Sequence, residues 1–78
     1  MKTQQQYVGL DVSLEETSVC VVDEVGATVW RGKCHSTPDS IHATLAKHAP
    51  GAVRVGIETG QLSTWLFHQL KARRYPMH

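Results

Sequence analysis

Tyr7-Val8-Gly9-Leu10-Asp11-Val12-Ser13 returns in shortened form as Val55-Gly56-Ile57-Glu58. Both stretches read as strands because β-branched and aliphatic residues alternate with glycine and a carboxylate. Alternation puts Val8, Leu10 and Val12 on one side and Gly9 and Asp11 on the other; Val55 and Ile57 likewise oppose Gly56 and Glu58. Each acid therefore lies beside a glycine, which leaves open volume and lets a ligand or another backbone come close. In a buried strand, a carboxylate without a donor, a cation or a metal is costly. The matched pair of acids makes Asp11 and Glu58 the candidate site residues, against the plainer possibility that each caps a strand end in water.

Working outward, the first strand is expected over about residues 7 to 13, with a turn at Leu14-Glu15-Glu16 and a second strand from Thr17 to Asp23. Glu24-Val25-Gly26-Ala27 supplies the next turn, with Gly26 free to take positive φ, and a third antiparallel strand runs from Thr28 to Cys34. A turn centred on Val25-Gly26 pairs Cys20 with Arg31 and Thr17 with Cys34. The two sulfurs are then out of register, so both cysteines are expected as free thiols. Trp30 is expected in packing, with Arg31 and Lys33 alternating toward solvent, where a basic strand face touching phosphates is the alternative.

Thr37 reads as a helix cap, with Pro38 at the first helical position and Asp39 in the first turn. This helix is expected to about Ala49, with Ile41, Leu45 and Ala49 as its thin apolar stripe, and Pro50-Gly51 ends it. A fourth strand, Arg54 to Thr59, follows a helix and is therefore expected to be parallel to its neighbour. A second helix after Gly60 places Leu62, Trp65, Leu66 and Leu70 at core spacing, with Ser63 and Thr64 as candidate caps. Tyr75-Pro76 ends it. Met77 and His78 then stand where an alternating architecture begins its next parallel strand.

Composition sets outer limits. A chain of 78 residues is one small domain, and 41% hydrophobic with 19% charged residues is ordinary globular usage. A net charge of +1 excludes a broad electrostatic footprint for nucleic acid; any such footprint must be local, as at Lys71, Arg73 and Arg74, with Lys47 and Arg54 upstream. The polar start Met1-Lys2-Thr3-Gln4-Gln5-Gln6 carries no apolar leader, and no run is long enough to span a membrane, so a cytoplasmic location without membrane partners is expected. His35, His42, His48, His68 and His78 show neither zinc-protease nor zinc-finger spacing.

The order strand, strand, strand, helix, strand, helix, with acids on the first and fourth strands, resembles the ribonuclease-H-like α/β fold, in which those two strands are adjacent and parallel. Neighbouring strands lie about 4.8 Å apart, so matched positions would bring Asp11 and Glu58 within roughly 5 Å. At an effective dielectric near 20, two like charges at that separation repel by roughly 3 kcal/mol. A hard divalent cation removes the repulsion and suits a carboxylate-only site.

A narrower likeness rests on Tyr7-Val8-Gly9-Leu10-Asp11-Val12-Ser13, Thr17-Ser18-Val19-Cys20-Val21-Val22-Asp23 and Val55-Gly56-Ile57-Glu58-Thr59-Gly60, with Leu62-Ser63-Thr64-Trp65-Leu66 just beyond. Together these resemble the RuvC-like N-terminal domain of DEDD-type insertion-sequence transposases related to the Piv invertase, over almost the whole chain. The resemblance implies DNA transposition by DNA strand joining and exchange, with four acids in the order Asp, Glu, Asp, Asp. Asp11 and Glu58 match the first two, as catalytic residues and as ligands for Mg²⁺ or Mn²⁺. The third and fourth acids would lie beyond His78, as would a C-terminal domain with a serine nucleophile, so the chain reads as a domain truncated before its fifth strand. DNA, a guide RNA and further copies of the chain are the partners the resemblance implies.

Two alternatives come from other classes. One is a non-catalytic remnant or small module that binds nucleic acid or protein. The other is an actin-like sugar kinase fragment, since Gly9-Leu10-Asp11-Val12-Ser13 also resembles a phosphate-binding turn; the anionic tip Leu14-Glu15-Glu16 argues against it by repelling a nucleotide phosphate.

Overall fold

Along β1 (Gln6–Val12) the alternation is carried through in three dimensions, with Val8, Leu10 and Val12 buried and Gly9 and Asp11 exposed. The computed structural model describes residues 5–58 and 63–77. It is a small α/β fold in which β1, β2 (Glu16–Asp23), β3 (Thr28–His35) and β4 (Ala52–Ile57) form one mixed sheet, accompanied by α1 (Pro38–His48) and α2 (Ser63–Ala72). The strand order is β3-β2-β1-β4. β1 pairs antiparallel with β2, β2 antiparallel with β3, and β4 lies parallel to β1.

Local chemistry accounts for the hairpins. In the β2–β3 turn one carboxylate oxygen of Asp23 accepts from the Val25 and Ala27 amides at 3.0 and 2.9 Å, while Gly26 takes φ 86°. Next to the turn Val22 pairs with Thr28, and a one-residue shift between Val21 and Val22 then brings Val21 opposite Trp30, so that Cys20 lies opposite Arg31 and Thr17 opposite Cys34, the expected pairing. Cys20 faces away from the core and Cys34 packs against it, and both are free. The β1–β2 turn closes with the Ser13 amide donating to the Glu16 carbonyl at 3.0 Å. Beneath it Ser36 donates to the Ser13 carbonyl at 2.6 Å and shares a hydrogen bond with buried Thr17 at 2.8 Å. The turn is thereby tied to the chain entering α1.

α1 begins as its cap chemistry requires. Thr37, at φ −127° and ψ 150°, accepts from the Ser40 amide at 3.2 Å, and Pro38 opens the helix. Ile41, Leu45 and Ala49 bury against the sheet. Trp30 reaches from β3 to stack on His48 at the helix end, ring centroids 3.8 Å apart and planes within 8°. The indole lies across Gly32, where a β-carbon would fall 2.5 Å from two ring carbons.

β4 is described from Ala52 rather than Arg54, and Thr59, Gly60 and Leu62 lie outside the described residues, as does the side chain of Ser63. α2 buries Leu66 and Leu70, each worth about 1.5–3 kcal/mol of transfer free energy. Trp65, expected in the core, is instead 48% exposed. Leu66 and Leu70 sit four residues apart on one stripe, and Trp65 is about 100° around the helix from Leu66, outside that stripe.

The helix closes with a Schellman pattern: Tyr75 donates to the Leu70 carbonyl at 3.2 Å and Arg74 to that of Lys71 at 2.9 Å. Arg74 occupies the left-handed position usually held by glycine, at φ 69°. Beyond it, the Tyr75 hydroxyl meets His42 Nδ1 at 2.6 Å and Arg73 pairs with Asp39, joining the end of α2 to α1. Burial raises the Tyr75 phenol above its ordinary pKa, and the Arg73 guanidinium pulls it the other way. The Val55 amide then donates to the Pro76 carbonyl at 2.9 Å, and Met77 makes a parallel bridge to Val55 on the side of β4 away from β1.

The core gathers Val8, Leu10, Val12, Val19, Val21 and Val55 from one face of the sheet with residues of both helices. Among the described residues no helix covers the opposite face. Among the described residues no helix is long and apolar enough to cross a membrane.

Two substitutions test these contacts. Gly32→Ala forces the Trp30 ring off Gly32 and is expected to destabilise by about 1–3 kcal/mol in urea unfolding. Arg74→Gly relieves the left-handed strain and is expected to stabilise by about 1 kcal/mol in the same assay.

Candidate functional site

Register brings the two acids together. Val8 lies opposite Val55, Gly9 opposite Gly56 and Leu10 opposite Ile57. The Glu58 amide then donates to the Leu10 carbonyl at 2.8 Å. Continuing the ladder by one residue sets Asp11 beside Glu58 at the same end of two adjacent parallel strands. Both face the uncovered side of the sheet, and both are exposed.

Exposure changes the energetic argument made from the sequence. The acids were expected to need compensation because a strand interior is dry; here α1 and α2 cover only the other face, so water solvates both carboxylates and screens their repulsion. Tolerance of the pair therefore follows from the open face alone. What remains informative is position.

The second row of the face explains the glycines. A β-carbon at Gly9 would meet nothing within 4 Å, and at Gly56 only the Val8 carbonyl oxygen at 4.0 Å. Neither glycine is required by crowding or by positive φ, since Gly26 is the described glycine with positive φ. Gly9 lowers the floor between the acids and the next strand, β2. A shallow cleft of about 280 Å³ results, lined by Gly9, Asp11, Ser18, Cys20, Arg31 and Glu58.

Cross-strand pairing sorts these residues into two rows. Asp11 lies opposite Ser18, which lies opposite Lys33; Gly9 lies opposite Cys20, which lies opposite Arg31. Both rows run from the acid-bearing strands to cations on β3. Composition and motif spacing singled out Asp11 and Glu58 but not Ser18, Cys20 or Arg31 as site residues. The signal for them was the Cys20–Arg31 hairpin register combined with the alternation of β1.

Other candidates fall elsewhere. Trp30 packs on the core face, Ser13 contributes its carbonyl to the turn network, and Thr64 lies on α2, exposed. Leu14-Glu15-Glu16 borders a separate hollow with Ser18 and Lys33.

Chemically, two exposed carboxylates at adjacent positions can share one hard divalent cation, because Mg²⁺ keeps several waters and is commonly held by one or two carboxylates plus a phosphate ligand. Among the described residues no group of three or more His, Cys, Asp and Glu side chains gathers as a ligand set. The donor set thus fits a weakly held cation completed by water or substrate oxygen, and not a closed structural site. Compared with known proteins, the chain matches no protein-family model and no curated protein.

If the glycine floor serves access and not packing, Gly9→Ala should fold with stability equal to the parent or up to about 1 kcal/mol higher, because alanine has less chain entropy to lose. Urea denaturation of this variant beside Gly32→Ala separates the two roles of glycine in one sheet.

Proposed function

We propose that these residues form the N-terminal part of a DNA transposase or recombinase of ribonuclease-H-like, DEDD type, with Asp11 and Glu58 as the first two acids of a Mg²⁺- or Mn²⁺-dependent site. The observation that carries the reading is the register of β1 and β4, which sets two copies of one motif side by side with their acids on the open face. Adjacent, parallel acid-bearing strands are what the resemblance implies. Further support comes from Met77, which pairs parallel to Val55 beyond β4, where a ribonuclease-H-like sheet adds its next strand.

In this site Asp11 and Glu58 would hold the cation, and the bound ion would supply Lewis acidity and activation of the attacking oxygen in phosphodiester chemistry. The chain's own contribution is placement. Rigid strand ends fix both carboxylates, Gly9 and Gly56 let a sugar–phosphate backbone approach the sheet, and among the described residues no helix covers this face, which leaves room for a long substrate. A guide RNA and self-association belong to the same reading, through the resemblance alone.

A second reading is favoured by the size of the ligand set. With two acids and no third ligand gathered among the described residues, the chain would bind nucleic acid with a cation yet perform no strand cleavage, acting as an interaction module. Cleavage or joining of branched DNA in Mg²⁺, abolished by Asp11→Asn, would exclude this second reading.

Mn²⁺ titration followed by paramagnetic broadening of amide resonances tests the site itself. Broadening is expected to centre on Gly9, Asp11, Gly56 and Glu58, and Asp11→Asn or Glu58→Gln should weaken it about tenfold or more. Broadening spread evenly over the surface, or unchanged in both variants, would show the site to be wrongly placed. Stabilisation by ATP in place of Mn²⁺ would return the kinase reading.

A further inference from the structure

The cleft has a cation on the wall opposite its acids. Arg31 is exposed, shares the cleft with Asp11 and Glu58, and lies across β2 from Gly9 through the Gly9–Cys20–Arg31 row. Among the described residues no carboxylate stands within ion-pair distance of it, the ion pair found being Arg73–Asp39. Two strand spacings, about 10 Å, separate β1 from β3. One strand, β2, lies between the wall that carries Arg31 and the wall that carries Asp11.

Between the walls the cleft is lined by Gly9, Ser18 and Cys20 together with Leu10 and Val19. This strip is uncharged and largely apolar. The charges stand on the two walls. A cation-binding carboxylate pair on one wall and an unpaired guanidinium on the other, separated by an uncharged strip, complement an extended polyanion that places successive phosphates at the two walls. Arginine suits the second position because its planar fork donates two parallel hydrogen bonds to one phosphate. Lys33, the neighbouring cation, differs: its hollow also contains Glu15 and Glu16, which offset its charge.

Resting on the DNA reading above, we propose that Arg31 is the phosphate-positioning residue of the cleft, holding a single DNA strand across β2 so that a neighbouring phosphate lies at Asp11 and Glu58. The contact is made by the guanidinium and is independent of the cation. It also gives the strand a direction of travel, across the sheet from β3 toward β4.

The test is binding of a fluorescein-labelled 20-nucleotide single-stranded DNA by anisotropy, in EDTA and then in Mn²⁺, across a salt series. In EDTA, Arg31→Gln is expected to weaken binding about fivefold to tenfold and to reduce the slope of log K against log salt by about 0.7, the loss of one phosphate contact. Arg31→Lys should restore the slope but not the whole affinity, and Lys33→Gln should cost less than Arg31→Gln. Asp11→Asn should leave binding in EDTA unchanged or tighter and remove only the gain from Mn²⁺. Arg31 is exposed, so its variants should retain the parent's circular dichroism and urea midpoint. Binding by Arg31→Gln equal to the parent in EDTA would overturn the proposal while leaving the acid site standing. A Mn²⁺ effect insensitive to Asp11→Asn would overturn the acid site and leave Arg31 standing. Absence of any DNA binding by the parent would overturn the proposal by assigning the cleft no strand.

Discussion

Everything in this molecule depends on β1 being two-faced. Val8, Leu10 and Val12 anchor the core from the centre of the sheet, with β2 on one side and β4 on the other. Period-two alternation then forces Gly9 and Asp11 outward together. A slip of one residue would bury Asp11 and expose Leu10, so the apolar face holds the polar face in place. The parallel partner β4 repeats the constraint through Val55, and agreement between the two strands makes the acid pair a matter of register and not of local preference.

From that constraint the division of labour between glycines follows. Gly32 makes room for Trp30, whose ring also stacks on His48 and fastens β3 to the end of α1. Gly26 takes the positive φ of the β2–β3 turn. Gly9 and Gly56 do neither; they leave a low floor beside two carboxylates. The same residue type thus appears once for packing, once for backbone conformation and twice for access. The buried Thr17–Ser36 bond and the Arg73–Asp39 and Tyr75–His42 contacts hold the periphery to this frame.

Much of the frame was legible residue by residue. The Asp23 to Ala27 segment marked the hairpin turn, with the Cys20–Arg31 pairing reached through a one-residue shift between Val21 and Val22, Thr37-Pro38 marked the start of α1, and Val8 to Val12 announced which side of the first strand would be buried. Less legible was the second helix. Leu66 and Leu70 are core, yet Trp65 is half exposed, because a stripe of two leucines is too narrow to carry a third position into contact. The acid pair was found by repetition of a motif; Arg31 was legible as part of a basic strand face, but its place in one cleft with the acids was not, because it comes from a strand two places away.

The sequence by itself determined the alternation of each strand, the hairpin register and the helix starts, since these depend on neighbours within a few residues. It also marked Asp11 and Glu58 as equivalents. Only the tertiary structure decided that both helices pack on one face of the sheet, leaving the other in water. That choice made the acids solvated instead of buried, and brought Arg31, Cys20 and Ser18 into one cleft with them. Its physical reason is that helices bury apolar area where most of it is offered, and the face carrying Gly9, Asp11, Ser18, Arg31 and Lys33 offers less than the face carrying Val8, Leu10, Val12, Val19, Val21 and Val55.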